Sequence, residues 1–227
     1  MGNQIHPTAV LDGEIEMGED NVIGPFSVLL GPLRMGSRNH LGPHASIGAP
    51  GDEIWQRRYD TAGKAVEIGD DCTIREHVAI HKPVYGELTR VGSHVFLMHG
   101  SYVAHDTVVA DRAVLAQNTA IGGASRVLEG AYVAMGAAVH QRAVIGHYSI
   151  VAAASAAIRD VRPFTRFIPG RPISVNTYAL THYGLEEHRD EIARYVHEGR
   201  PPESGRIGRM VAEYEQLHAA SERGQYA

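Results

Sequence analysis

A histidine followed directly by an aspartate, His105–Asp106, is the part of this sequence best suited to chemistry. An imidazole has an ordinary pKa of about 6.5, so it is mostly neutral near pH 7 and can accept a proton from a reacting group. A carboxylate beside it can fix the tautomer of the ring and stabilise the imidazolium that forms. The pair could therefore act as a general base with its orienting partner, but the two residue types alone do not decide this. The alternative interpretation is a surface histidine beside a surface aspartate.

A six-residue repeat predicts the elements that hold this pair. Aliphatic residues recur at every sixth position in runs that begin at Ile5, Ile68 and Val91, and the last run continues without a break to Val151. A period of six fits neither the 3.6 of a helix nor the alternation of a half-buried strand. It fits a triangular prism in which each six-residue segment makes one short strand and one corner, which predicts a parallel β-helix. Chance spacing in a β-rich domain is the alternative, and the length of the last run disfavours it.

The repeat also predicts which residues stack on His105. Three segments of six make one coil, so Gly123 and Gln141 occupy the same position one and two coils above the histidine. Neighbouring strands lie about 4.8 Å apart, which separates His105 and Gln141 by about 10 Å. We expect the glycine between them to leave room for a ligand.

The composition excludes several classes of protein. Four phenylalanines, one tryptophan and 25 glycines among 227 residues predict a narrow core of small and β-branched side chains. A net charge of −5 gives no reason to expect nucleic-acid binding. Cys72 is the only cysteine, so no internal disulfide can form and we expect a reducing, cytoplasmic setting. No run approaches the roughly 18 apolar residues of a membrane span.

Breaks in the repeat predict the domain organisation. We expect a β-helix over residues 1–160, interrupted by loops near 49–66 and 82–90, because the six-residue phase is lost in those two segments. Loops on a rigid scaffold often carry binding residues. Residues 161–227 are expected to form a linker and a C-terminal helical extension, with helices over Tyr183–His197 and Arg206–Arg223.

Several segments across most of the chain resemble one known family. The segments are Ile23-Gly24-Pro25-Phe26, Ile80-His81, Val103-Ala104-His105-Asp106, Leu115-Ala116-Gln117-Asn118, Ala138-Val139-His140-Gln141 and Val175-Asn176. Together they resemble the bacterial UDP-N-acetylglucosamine O-acyltransferases of lipid A synthesis. The resemblance implies an all-β, left-handed parallel β-helix with a short α-helical tail. It also implies a homotrimer with active sites between subunits and no bound cofactor or metal.

The resemblance further implies a reaction and a set of site residues. An acyl group would pass from acyl carrier protein, or alternatively from coenzyme A, to a hydroxyl of a sugar or nucleotide sugar. His105 would be the general base and Asp106 its orienting partner. The expected substrate-binding residues are Arg58, His81, His99, Tyr102, Asn118, Gly123, Met135, His140, Gln141 and Asn176.

The chain also departs from the family pattern. Tyr102 stands where the family has a histidine, Ala124 replaces a second groove histidine, and His182–Tyr183 replace paired arginines that meet the nucleotide. Met135 occupies a position where the family often has glycine, so we expect it to limit the length of the acyl chain. These changes predict that acyl transfer is retained with a changed acceptor.

Three other functions share this fold. A γ-type carbonic anhydrase would use His81, His99 and His105 as zinc ligands, although a spacing of six between the last two differs from the five expected there. A coenzyme A-dependent acetyltransferase would keep a histidine base and change the donor. A catalytically silent scaffold would leave His105 as a surface residue. The fold alone does not choose among these functions.

Overall fold

The six-residue repeat folds into three sheets of very short strands. The computed structural model describes residues 2–54, 60–202 and 205–226. Up to residue 157, hydrogen-bonded neighbours within each sheet are three strands apart in the sequence, so consecutive strands pass to different sheets. This connectivity makes a triangular prism, and the predicted parallel β-helix is confirmed.

The strands are numbered in chain order. Sheet A contains β1 (Gln4–Ile5), β4 (Val22–Ile23), β7 (His40–Leu41), β10 (Thr73–Ile74), β13 (Phe96–Leu97), β16 (Val114–Leu115), β19 (Tyr132–Val133), β22 (Ile150–Val151), β24 (Thr165–Phe167) and β25 (Ser174–Val175). Sheet B contains β2 (Val10–Asp12), β5 (Val28–Leu30), β8 (Ser46–Ala49), β11 (Ala79–His81), β14 (Tyr102–Val103), β17 (Ala120–Ile121), β20 (Ala138–Val139) and β23 (Ala156–Ala157). Sheet C contains β3 (Ile15–Met17), β6 (Leu33–Met35), β9 (Ala65–Ile68), β12 (Leu88–Val91), β15 (Val108–Val109), β18 (Arg126–Val127) and β21 (Val144–Ile145).

The aliphatic residues of the repeat form the core of the prism. From Ile23 to Val151 every one of them is buried, and each stacks on its equivalents in the coils above and below. Ile5 and Leu11 also belong to the repeat but are 43% and 38% exposed. They lie in the first coil of the described residues, and only the coil above packs on them there.

Each coil has three corners, which are named here by the sheets that they join. The BC edge, between sheets B and C, carries both breaks in the repeat. One break lies between Ala49 and Ala65 and the other between His81 and Leu88, the flanking strand ends. We call these segments the first loop (50–64) and the second loop (82–87). Both loops therefore extend from the edge on which His105–Asp106 also lies, one coil further along.

The chain leaves the prism after Phe167. Strand β24 still pairs in parallel with β22, so parallel pairing continues past residue 160, and β25 then returns antiparallel to β24. The helices are α1 (Thr177–His182), a 3-10 turn (Glu186–His188), α2 (Arg189–Glu198) and α3 (Gly205–Ala219). The division of the chain into two parts at residue 160 stays a prediction.

The helical extension differs from the prediction at its start. A helix starting at Tyr183 is wrong: Gly184 has a φ of +66°, which breaks the helix, and α1 ends at His182 instead. The helices pack on Tyr148 and Phe164 of the prism through Leu180, Ile192 and other apolar residues. No helix in the described ranges is long and apolar enough to cross a membrane.

Candidate active site

His105 and Asp106 form the turn between β14 and β15 on the BC edge. Asp106 has a φ of +61°. Aspartate is among the residues that tolerate this left-handed conformation most readily. Both residues are largely buried, at 7% and 8% exposure. Nδ1 of His105 lies 2.7 Å from Oδ2 of Asp106.

Backbone amides of the second loop surround the Asp106 carboxylate. The N–H groups of Val84 and Tyr85 donate to Oδ2 at 2.8 and 3.0 Å. The N–H group of Gly86 donates to Oδ1 at 2.6 Å. The amide of Asp106 itself donates to the hydroxyl of Thr89 at 2.9 Å. The carboxylate thus ties the second loop to the turn that carries His105.

These hydrogen bonds determine the charge of Asp106 and the tautomer of His105. Burial acts to raise the pKa of Asp106, but the hydrogen bonds from His105 and from the three loop amides outweigh it and lower the pKa below its usual value. An ionised carboxylate can only accept, so we assign the proton of neutral His105 to Nδ1. The free lone pair is then on Nε2, the nitrogen available to act as a base.

Two glycines allow the imidazole to occupy its position. A Cβ atom at Gly123 would lie 2.4 Å from both Cε1 and Nε2 of His105. A Cβ atom at Gly51, in the first loop, would lie 2.7 Å from Cβ of His105. The space at Gly123 is therefore filled by the histidine ring, which corrects the expectation that it is open for a ligand.

Two further residues complete the surroundings of the turn, and the sequence analysis did not identify either. Nη1 of Arg126 donates to the carbonyl oxygen of Asp106 at 2.9 Å and so fixes the backbone of the turn. The ring of Tyr85 meets the ring of His105 edge to face, with centroids 5.4 Å apart. Tyr85 lies in the segment where the repeat breaks, which is the one sequence feature that pointed to it.

His81 and Tyr102 lie together near the base. The hydroxyl of Tyr102 and Nδ1 of His81 are 3.2 Å apart. Burial lowers the pKa of His81, while Asp52, whose carboxylate is 3.7 Å away, acts to raise it and His105 to lower it. This pair thus occupies the outer face of sheet B beside the BC edge.

A shallow apolar groove begins at Tyr102 and crosses the outer face of sheet B. It has a volume of about 280 Å³, and its floor consists of Ala120, Ala138 and Ala156, with His140 and Ile158 also lining it. His140 is exposed there, and Gln141 lies next on the BC edge. The groove runs across successive coils, because Ala120 pairs with Ala138 and Ala138 with Ala156 along sheet B.

Three predicted residues lie on a different edge. His99, Asn118 and Met135 are corner residues between sheets A and B, and His99 packs edge to face against His77. Met135 is 58% exposed. The structure therefore does not bring these residues to His105 within one chain. The three imidazoles of the zinc hypothesis do not meet either, and no group of three His, Cys, Asp or Glu side chains in the described ranges could hold a metal ion.

A larger cavity lies on the outer face of sheet A. It has a volume of about 610 Å³, and α1 forms one wall. Its lining residues are Phe96, Met98, Val114, Gly130, Tyr132, Ile150, Arg166, Asn176, Thr177, Tyr178 and Tyr183. Sheet A is opposite the BC edge, so this cavity and His105 are on opposite sides of the prism.

Asn176 has a clear structural role beside this cavity. Its Oδ1 caps α1 by accepting from the amide of Ala179, and its Nδ2 donates to the carbonyl oxygen of Tyr148 at 2.8 Å. In the same region, the rings of His182 and Tyr178 stack at 3.8 Å. Arg58, another of the expected substrate-binding residues, lies outside the described residues.

Known proteins resemble this chain in sequence and in fold. The acyl-(acyl-carrier-protein)–UDP-N-acetylglucosamine O-acyltransferase of Syntrophobacter fumaroxidans is 38% identical over 205 residues, covering 82% of this chain and 78% of the relative. No protein-family model matches the chain.

Solved structures share the fold at lower identity. UDP-N-acetylglucosamine acyltransferase from Campylobacter jejuni matches with a TM-score of 0.81 at 20% identity, covering 99% of this chain and 100% of that one. The enzyme from Francisella novicida matches with a TM-score of 0.80 at 21% identity, covering 98% and 91%. The fold is thus the left-handed parallel β-helix. On the similarity in sequence, the chain is an acyltransferase and belongs to the acyl-(acyl-carrier-protein)–UDP-N-acetylglucosamine O-acyltransferase family.

Proposed function

We propose that this protein transfers an acyl group from acyl carrier protein to a hydroxyl of a nucleotide sugar, with His105 as the general base. The observation that carries the proposal is the His105–Asp106 contact of 2.7 Å, in which an ionised carboxylate leaves Nε2 as the basic nitrogen. Acyl carrier protein and UDP-N-acetylglucosamine are named for the relative. A cytoplasmic location is part of the proposal, because both substrates would be met there.

The reaction follows from this geometry. Nε2 of His105 removes the proton from the acceptor hydroxyl as its oxygen attacks the thioester carbonyl carbon. The carbon–oxygen bond forms and the carbon–sulfur bond breaks, and the thiolate leaves with the proton returned by the imidazolium. Asp106 stabilises that imidazolium. The products are the acylated sugar and the free thiol of the carrier, so no covalent enzyme intermediate is required.

We propose that the acyl chain binds in the groove on sheet B. Its floor of three alanines is apolar and starts at Tyr102, beside the base. An alkyl chain lying there would cover apolar surface that is otherwise exposed to water. His140 and Gln141 would flank this chain at the BC edge. Met135, on the AB edge, remains the residue expected to limit its length.

We propose that the nucleotide binds in the cavity on sheet A. Tyr132, Tyr178 and Tyr183 offer aromatic surface, and Arg166 supplies a positive charge for the phosphates. Tyr183 stands where the family has an arginine. We propose that this cavity accepts a nucleotide sugar modified relative to UDP-N-acetylglucosamine. Efficient turnover of UDP-N-acetylglucosamine itself would contradict this part of the proposal.

The positions of the base and the cavity support a homotrimer. One acceptor cannot contact both His105 on the BC edge and the cavity on sheet A of the same chain. A second copy must bring its sheet A to the BC edge of the first. Such a contact joins two different surfaces and needs rotational closure, which a threefold ring provides.

A single-turnover thioester assay tests the proposed function. Acyl carrier protein and coenzyme A donors would be offered with a panel of nucleotide sugars to the wild type, His105→Ala and the control His94→Ala, which changes an exposed histidine on another edge. We expect His105→Ala to lose on the order of a hundredfold or more in rate, the usual contribution of a general base. The control should retain the wild-type rate.

The outcomes distinguish the alternatives. Consumption of coenzyme A thioesters alone would favour a sugar acetyltransferase. Equal rates for the wild type and His105→Ala would remove the assignment of the base. No consumption of any donor would contradict acyl transfer by this chain.

A further inference from the structure

Tyr85 presents an exposed aromatic ring next to the base. The residue is 63% exposed, although its ring centroid lies only 5.4 Å from that of His105, at an interplanar angle of 77°. Aromatic side chains usually bury most of their surface in a protein core. An exposed ring beside a base is therefore available to contact a ligand.

Contacts at both ends of the residue fix this ring in place. The backbone N–H group of Tyr85 donates to Oδ2 of Asp106 at 3.0 Å. The hydroxyl of Tyr85 donates to the carboxylate of Glu53 in the first loop, so the residue connects the two loops. This hydrogen bond also raises the pKa of Tyr85 and keeps the phenol a donor. The ring is thus held at the base without being buried.

The position of the Tyr85 ring determines which part of the substrates it can contact. The acceptor hydroxyl must come within about 3 Å of Nε2 of His105 to lose its proton. The sugar ring that carries this hydroxyl then lies beside His105 and within reach of Tyr85. We propose that Tyr85 is a specificity-determining residue whose ring contacts the sugar ring of the acceptor and holds it against His105. This proposal rests on the proposed function of His105.

The chemistry of Tyr85 suits a sugar better than an acyl chain. The face of an aromatic ring carries partial negative charge and attracts the C–H groups on the face of a sugar ring. The adjacent Glu53 carboxylate can accept hydrogen bonds from sugar hydroxyls. An acyl chain would instead lie over the apolar alanines of sheet B. The exposed ring and the carboxylate together match a ligand with an apolar face and a polar rim.

Equilibrium binding tests the contact without any turnover. Titration calorimetry would measure the binding of UDP-N-acetylglucosamine, used as a binding probe and not as the preferred acceptor, and of UDP to the wild type, Tyr85→Ala and Tyr85→Phe. The control Phe26→Ala removes another exposed ring, 56% exposed and on the AB edge. We expect Tyr85→Ala to weaken the binding of UDP-N-acetylglucosamine about tenfold, which is the effect of losing one aromatic contact. Binding of UDP should stay the same, because UDP lacks the N-acetylglucosamine ring that Tyr85 would contact.

The second variant separates the ring from its hydroxyl. Tyr85→Phe keeps the ring and should bind UDP-N-acetylglucosamine within about threefold of the wild type. Thermal melting of each variant would check that the fold is retained. Equal affinity of Tyr85→Ala and the wild type for UDP-N-acetylglucosamine would overturn the proposal. An equal loss of affinity of Tyr85→Ala for UDP and for UDP-N-acetylglucosamine would also overturn the proposal.

Kinetics separate this proposal from the proposed function. With a working donor, Tyr85→Ala should raise KM for the acceptor and leave KM for the donor unchanged. A lower kcat with an unchanged acceptor KM would overturn the sugar contact and leave Tyr85 as a residue that only positions His105. Wild-type protein that binds the nucleotide sugar but transfers no acyl group would contradict the proposed function and leave the Tyr85 contact standing.

Discussion

At the level of single residues, the state of the base depends on the groups around its neighbour. Asp106 accepts hydrogen bonds from three amides of the second loop as well as from His105. Because these donors keep the carboxylate ionised, Nδ1 of the imidazole holds its proton and Nε2 is left to accept another. The loop amides therefore act on the base through Asp106.

Gly123→Ala tests how closely the base is packed. The new Cβ atom would lie 2.4 Å from Nε2 and Cε1 of His105, so the ring must move away from its position. A displacement of about 1 Å in a catalytic group can cost on the order of a hundredfold in rate. We expect kcat to fall by a factor of that order, with little change in melting temperature because the clash involves the end of one side chain.

A neighbouring substitution provides the control. Ala124 has a φ of +57°, a conformation that glycine adopts more readily than alanine. Ala124→Gly changes the same corner without placing an atom against His105 and should keep the wild-type kcat. Wild-type activity in Gly123→Ala would show that the ring position is not critical.

At the level of elements, α3 covers a buried histidine on the corner between sheets C and A. His147 is 3% exposed, and neither ring nitrogen has a hydrogen bond within the described part of the chain. Burial lowers the pKa of His147 to about 4, so the side chain is neutral near pH 7. Its 3.4 Å contact with Glu213 of α3 is then not an ion pair. At neutral pH α3 thus packs over an uncharged ring.

This burial predicts acid sensitivity. In the unfolded chain His147 takes up its proton near its ordinary pKa of about 6.5, whereas in the folded chain it does so only near pH 4. The unfolded state therefore binds more protons between these pH values. The free energy of unfolding is highest above pH 6.5 and decreases as the pH drops toward 4. The shift in the pKa of His147 corresponds to a loss of about 3 kcal/mol in the free energy of unfolding over this range.

Melting temperature against pH checks this effect. His147→Leu should flatten the decrease between pH 6.5 and 4, because the buried titrating group is gone. His94→Leu, an exposed histidine on the same edge, should keep the wild-type profile. Parallel profiles for the wild type and His147→Leu would show that other groups determine the acid sensitivity.

At the level of the whole molecule, the two parts of the proposed site lie on opposite sides of one prism. His105 is on the BC edge, and the cavity with Arg166 is on the outer face of sheet A. If neighbouring subunits complete each site, two variants with defects in different parts should restore one another in mixed trimers.

Mixing His105→Ala with Arg166→Glu tests this arrangement. We expect each variant alone to be inactive, the second because a carboxylate would repel the phosphates of the nucleotide. After unfolding and refolding together, about a quarter of the interfaces should combine an intact base with an intact cavity, by random assortment of subunits. Activity near that fraction is expected, with sedimentation to measure the oligomer. No recovery in verified mixed trimers would contradict a shared site.

The sequence alone determined the scaffold and the position of the base. A period of six in the aliphatic residues has few structural solutions, because each inward residue must stack on the next coil. From this period followed the parallel prism, its core of stacked aliphatic residues, and the shared edge of His105 and Gly123. His105–Asp106 could be identified because the two residues are adjacent in the chain and match a family motif.

Only the tertiary structure decided which distant residues meet this pair. The three amides of the second loop, that of Tyr85 among them, reach Asp106 from about 20 residues away, through a loop whose sequence has no period to extrapolate. The contacts of Asn176, which caps α1 and bonds to the carbonyl oxygen of Tyr148, also came only from the structure. His99, Asn118 and Met135 lie on another edge, which the period of six already implies. A repeat predicts neighbours at fixed intervals. Contacts between a loop and a coil depend instead on the path of the loop in space, which the repeat does not encode.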